Sequence, residues 1–183
     1  MWNLPNRLTL LRISMIPVFV VLYYLPWAWS HVASAAIFGV AAITDWVDGY
    51  LARKLGQETA FGAFLDPVAD KLIVIVALII LLEAHSTIWF ALPTLIIIGR
   101  EVVVSALREW MAERGLRGDV AVSMIGKVKT WVQMVAIIFL LVAGQNVDTF
   151  MVIGYIGIYA SAGLALWSML VYLKQSWSQM QDQ

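Results

Sequence analysis

The chain has 183 residues, of which 62% are hydrophobic and 13% charged, against about 45–50% and about 25% for an ordinary soluble domain; a water-soluble monomer is excluded. Lys and Arg number 12, as do Asp and Glu, so there is no basic excess to suggest nucleic acid as a partner. With no cysteine, disulfides and thiolate sites are also excluded, and any metal must be held by oxygen or imidazole ligands.

The apolar residues fall in long runs, and a span needs about 20 of them because a helix rises about 1.5 Å per residue through a hydrocarbon layer about 30 Å thick. Six helical segments are predicted: Leu8 to Leu25, Val32 to Leu55, Gly62 to Leu82, Ile88 to Arg114, Val120 to Ala143 and Phe150 to Leu173. None alternates with the period of a barrel strand, and lipid offers the backbone no hydrogen bonds. The expectation is an all-α integral membrane protein, six transmembrane helices in one domain over residues 1–183.

In the first segment, Arg7 and Arg12 precede an apolar run from Ile13 to Leu25. This has the form of a signal sequence, but further spans follow and no cleavage site precedes Pro26, so it is read as a retained span. The turns Pro26 to His31, Glu83 to Thr87 and Gly144 to Thr149 contain no Lys or Arg. All 12 basic residues lie at the opposite ends: Arg7, Arg12, Arg53, Lys54, Lys71, Arg100, Arg108, Arg114, Arg117, Lys127, Lys129 and Lys174. By the positive-inside rule that side, with both termini, is cytoplasmic. His31 and His85 sit in the outer turns as interfacial side chains, and the polar tail after Trp177 is expected to fray.

Between the second and third segments the sequence reads TDWVDGYLARKLGQETAFGAFLDPVADK, which places Asp45, Asp48, Asp66 and Asp70 near the cytoplasmic ends of two successive helices. On a helix, Asp45 and Asp48 lie about 60° apart and Asp66 and Asp70 about 40° apart, so each helix carries an acidic face. An Asp costs about 2.5–3.5 kcal/mol at a bilayer centre, and like charges about 4 Å apart repel by about 4 kcal/mol at an effective dielectric of about 20. Cations must compensate. Two divalent ions about 3.5–4 Å apart, taking carboxylate oxygens, can clamp a phosphoryl displacement, and Mg²⁺ or Mn²⁺ fit best. Gly49, Ala52 and Gly62 leave room for a large polar group beside the backbone, and Arg53 can fork onto a phosphate oxygen. The plainer alternative for a single acid is a helix cap, and Asp66 before Pro67 has the form of an N-cap; four acids among small residues in so apolar a chain argue for a site.

These residues match D-x2-D-G-x2-A-R-x8-G-x3-D-x3-D at Asp45, Asp48, Gly49, Ala52, Arg53, Gly62, Asp66 and Asp70. The chain thereby resembles the CDP-alcohol phosphatidyltransferase family, whose six-span fold agrees with the layout above. The resemblance implies that Asp45, Asp48, Asp66 and Asp70 bind two divalent cations, that Arg53 holds the diphosphate of CDP-diacylglycerol, and that Gly49 and Gly62 make room for cytidine. It implies Asp70 as general base beside its metal contact. The stretch PNRLTLLR is similar to the family's entry helix, which brings in Asn6, Thr9 and Arg12, with an interfacial anchor as the alternative.

On the fourth segment Glu101, Ser105 and Arg108 form one stripe, expected to face inward, and on the fifth Ser123, Lys127 and Thr130 fall within about 60°. Lys129 points about 160° from Lys127 and is expected to snorkel toward headgroups. Arg108, Lys127, Arg100 and Lys129 are the candidates for an acceptor phosphate, because inward cations beyond the motif call for an anionic acceptor; a structural Arg100–Glu101 ion pair and lipid-headgroup contacts are the alternatives. REVVVSALREWMAERG and GKVKT resemble those family members that use sn-glycerol 3-phosphate, which implies phosphatidylglycerophosphate as product and a bacterial cytoplasmic (inner) membrane location among phospholipids. Other acceptors, namely inositol phosphate, serine or phosphatidylglycerol, stay open, as does the distinct class of divalent-cation transporter. Gly154, Gly157, Ser161 and Gly163 permit close helix approach within a bundle or across a dimer, and the resemblance favours a homodimer.

Overall fold

The computed structural model describes residues 4–55, 60–114, 124–144, 146 and 148–181; the side chains of residues 4–5, 45–55, 60–61, 63, 112–113, 124–127 and 175–181 lie outside that description. Its described residues form α1 (Leu4–Tyr24), α2 (Ser30–Leu55), α3 (Ala60–His85), α4 (Ile88–Glu113), α5 (Met124–Ala143) and α6 (Thr149–Gln181). The predicted segments correspond one to one, but α6 continues through the polar tail expected to fray. Asp66 is not an N-cap: α3 begins at Ala60, so Asp66 and Pro67 lie inside the helix.

Three helices carry stretches long and apolar enough to cross a membrane, Asn6–Tyr24, Ile88–Met111 and Thr149–Lys174, while Ser30–Thr44 and Val128–Ala143 are shorter apolar stretches. The burial pattern is what lipid solvent requires. Large apolar side chains face outward from every helix, among them Val21, Ile43, Ile79, Leu95, Ile156 and Leu170. Polar ones turn inward, including Asn6, Thr9, Arg12, Arg100, Lys129 and Gln133. Between helices that lipid could wet equally well, association rests on close packing and interhelical hydrogen bonds rather than on the hydrophobic effect.

α1 packs on α2 and α3, α5 on α6 and α2, and α4 on α6. Phe19 and Phe38, both buried, meet at 6.2 Å between ring centroids, tying α1 to α2. α5 and α6 approach closely: a Cβ on Gly154 would stand 2.5 Å from Leu140 Cγ, and one on Gly157 would stand 2.6 Å from Ala136 Cβ. Both glycines are therefore spent inside the bundle, as is Ser161, which is buried and donates to Gln133 Oε1 at 3.2 Å. Gly163 faces open space.

At the end of the helices away from the acids the chain leaves α5 through Gly144, whose φ of 57° is left-handed. A Cβ there would also lie 2.8 Å from the His31 ring. The two histidines sit in aromatic clusters: His31 is 4.9 Å from Tyr23, and His85 is 4.9 Å from Phe90 and 5.3 Å from Tyr155.

Candidate active site

α3 presents Asp66 and Asp70 one turn apart on one face, both half-buried. The residue one turn before Asp66 is Gly62, also buried, so the backbone is open to close approach there. α1 supplies the opposing wall. Asn6, Thr9 and Arg12 recur at helical spacing, 2%, 0% and 0% exposed, and α1 lays that face against α2 and α3. The Thr9 hydroxyl donates to Asp66 Oδ1 at 2.5 Å. The entry helix is thus built into the acidic site rather than serving as an interfacial anchor.

α2 runs helically through Asp45, Asp48, Gly49 and Arg53 to Leu55, but these side chains, like that of Lys127, lie outside the described residues. Among the described residues no three His, Cys, Asp or Glu gather as a metal group. The donor chemistry at α3 nonetheless fits a hard cation. Carboxylate oxygens are the ligands such ions take, and a neutral hydroxyl such as that of Thr9 orients a carboxylate without cancelling its charge, as the outer shell of a metal site does.

A second cluster joins α4 to α5. Glu101 Oε1 accepts from Arg100 Nη1 at 2.8 Å and from the Lys129 ammonium. Lys129 is 1% exposed, which overturns the expectation that it snorkels outward. The reason is the carboxylate on α4: a lysine placed on the inner face of α5 finds its counter-charge inside the bundle, where lipid would offer none. α4 and α5 both pack on α3, the helix that carries Asp66 and Asp70. Two cations about 4 Å apart repel by about 4 kcal/mol at an effective dielectric of about 20, and Glu101, in contact with both, more than offsets that. The Arg100–Glu101 ion pair weighed from the sequence is present, enlarged by Lys129.

Arg108 does not join this cluster. It lies about two turns further along α4, is exposed, and donates from Nη2 to the Tyr172 hydroxyl at 2.7 Å, with its guanidinium 5.1 Å from that ring. The inward stripe therefore holds for Glu101 and Ser105, both half-buried, and opens toward α6 at Arg108. Sequence reading passed over Tyr172 and the buried Gln133–Ser161 pair. Gln133 had a signal, since it follows Lys129 by four residues on one helical face; Tyr172 had none, because its partner is 64 residues away.

The CDP-alcohol phosphatidyltransferase family model matches residues 2–172. A protein of Pseudomonas fluorescens called CDP-diacylglycerol–glycerol-3-phosphate 3-phosphatidyltransferase is 51% identical, over 96% of this chain and 90% of its own length. Proteins of the same name from Salmonella paratyphi A and Shigella flexneri serotype 5b are each 51% identical, over 100% of this chain and 99% of theirs. With its eight-position acidic motif, its all-helical bundle and a match across nearly its whole length, this chain belongs to the CDP-alcohol phosphatidyltransferase family.

Proposed function

We propose that this enzyme transfers the phosphatidyl group of CDP-diacylglycerol to sn-glycerol 3-phosphate, giving phosphatidylglycerophosphate and CMP. The observation that carries this reading is identity of 51% along whole chains with proteins named for that activity. The buried Arg100–Glu101–Lys129 cluster supports an anionic acceptor, since two cations share one carboxylate there.

In this reading the acceptor hydroxyl oxygen attacks the phosphorus that bears the diacylglycerol. The bond from that phosphorus to the bridging oxygen breaks, and CMP leaves with the electron pair. Asp70 takes the hydroxyl proton. Arg53 forks onto the diphosphate, and Gly49 and Gly62 admit the cytidine. Asn6 and Thr9 line the nucleotide side of the site. Lys129, Arg100, Arg108 and Lys127 take the acceptor phosphate. Asp45, Asp48, Asp66 and Asp70 would hold two divalent cations, Mg²⁺ or Mn²⁺, which when bound neutralise charge on the diphosphate.

All six helices are read as spans of the bacterial cytoplasmic membrane, with the site and both termini on the cytoplasmic side, on the strength of the basic residues confined to those ends. A homodimer is proposed on family resemblance, without Gly154 and Gly157, which are occupied by α5.

The test is CMP release from CDP-diacylglycerol by the purified protein in detergent with Mg²⁺ or Mn²⁺, comparing glycerol 3-phosphate, inositol phosphate, serine and phosphatidylglycerol, with Asp70→Asn as control. Release that depends on glycerol 3-phosphate and is lost in Asp70→Asn is expected. Dependence on another acceptor would overturn the substrate assignment, and release independent of any acceptor would overturn the transfer itself.

A further inference from the structure

Glu101 on α4 holds two cations that come from different helices. Oε1 alone takes both cations, Arg100 Nη1 at 2.8 Å from its own helix and the Lys129 ammonium from the next. Here one oxygen draws an arginine and a lysine to a single point, so the two nitrogens stand side by side. Lys129 is 1% exposed and Arg100 9%; Arg100 Nε is buried and without a hydrogen-bond partner among the described residues.

Such a point matches a phosphate monoester, which brings about 1.5–2 negative charges at neutral pH and three acceptor oxygens. One carboxylate offsets only one of the two cations. α4 and α5, which carry the cluster, both pack on α3, the helix of Asp70, so a phosphate seated there faces the helix of the proposed base. The geometry points to Glu101 as a positioning residue for the acceptor: it gathers Lys129 and Arg100 into one point that binds the acceptor phosphate. This rests on the proposed transfer to glycerol 3-phosphate. Glu101 itself touches neither phosphate nor reacting atoms and acts through the two cations.

The test measures CMP release by the full-length protein in detergent, varying glycerol 3-phosphate at saturating CDP-diacylglycerol and then the reverse. In Glu101→Gln the neutral amide no longer draws the cations together. Its KM for glycerol 3-phosphate is expected to rise at least tenfold, with kcat within threefold and KM for CDP-diacylglycerol within twofold of the parent. Glu101→Asp keeps the charge but withdraws it by one methylene, and an intermediate rise confined to the same KM is expected. If Glu101→Gln does not fold, Glu101→Asp decides: a rise of threefold or more in the acceptor KM alone upholds the assignment, and unchanged KM values overturn it. A purely structural carboxylate would lower thermal stability and active fraction with both KM values unmoved. A parent enzyme that releases no CMP with glycerol 3-phosphate would remove the functional reading and this inference together. A parent that does, beside variants with unaltered acceptor KM, would remove this inference alone.

Discussion

Thr9 on α1 and Asp66 on α3 are 57 residues apart in sequence, yet the Thr9 hydroxyl donates to Asp66 Oδ1 at 2.5 Å. That bond fixes the carboxylate's rotamer and joins the entry helix to the acidic site. Removing a partner of this kind typically costs about 10- to 100-fold in metal affinity or activity. Thr9→Val, nearly equal in volume, is expected to lower CMP release by about that factor and to raise the Mg²⁺ or Mn²⁺ concentration for half-maximal activity, whereas Thr9→Ser keeps the hydroxyl and most of the activity. A metal titration of the two variants side by side checks this; equal curves would sink the assignment.

Lys129 is buried against Glu101, and removing one member of a buried ion pair costs about 3–5 kcal/mol when it strands the other charge. Lys129→Met strands no charge, because Arg100 remains on Glu101 at 2.8 Å. The variant is expected to fold with near-parental thermal stability in detergent while losing tenfold or more in kcat/KM for the anionic acceptor. Loss of stability without loss of kcat/KM would make Lys129 a structural residue only.

Arg108 is held by the Tyr172 hydroxyl at 2.7 Å and by the face of the same ring at 5.1 Å. Tyr172→Phe removes the hydrogen bond, worth about 0.5–1.5 kcal/mol, but keeps the cation–π contact, worth about 0.5–1 kcal/mol at an exposed site. Its effect on acceptor KM should stay within about fivefold. Tyr172→Leu removes both and should have the larger effect. The ordering of the two variants is the measured quantity, and its reversal would show that the ring does not hold Arg108.

The glycines of α6 divide into two kinds. Gly157→Val must displace Ala136, since even a Cβ would lie 2.6 Å from that side chain, and overpacking of this sort costs about 1–3 kcal/mol. Gly163→Ala meets nothing within 4 Å and should be neutral or slightly stabilising through helix propensity. Thermal unfolding in detergent separates the two.

Gly144 makes a third case at the end of the helices away from the acids. Gly144→Ala forces a side chain into φ 57°, about 1–2 kcal/mol, and against the His31 ring at 2.8 Å. A lowered unfolding temperature is expected, with the specific activity of the folded fraction unchanged because the acids lie at the other end of the helices. A drop in that specific activity would mean that the two ends are coupled.

The helices and the acidic motif were legible in the sequence because each is local. An apolar run of span length has one solution in lipid, and Asp66 and Asp70 share a face whatever surrounds α3. Which way a charged side chain turns was not local. Lys129 was assigned to the headgroups from its angle to Lys127, but the bundle interior already held the Glu101 carboxylate, and a paired cation inside is cheaper than an unpaired one facing lipid. Periodicity also could not tell whether Gly154 and Gly157 serve the bundle or a dimer; the approach of Leu140 and Ala136 decided it. The sequence by itself determined the helical class, the order of the six helical segments and the family motif, all properties of neighbouring residues. Only the tertiary structure decided that Thr9 holds Asp66, that Glu101 draws Arg100 to Lys129 and that Tyr172 takes Arg108, because each partner is chosen by how two helices pack rather than by anything in either helix alone.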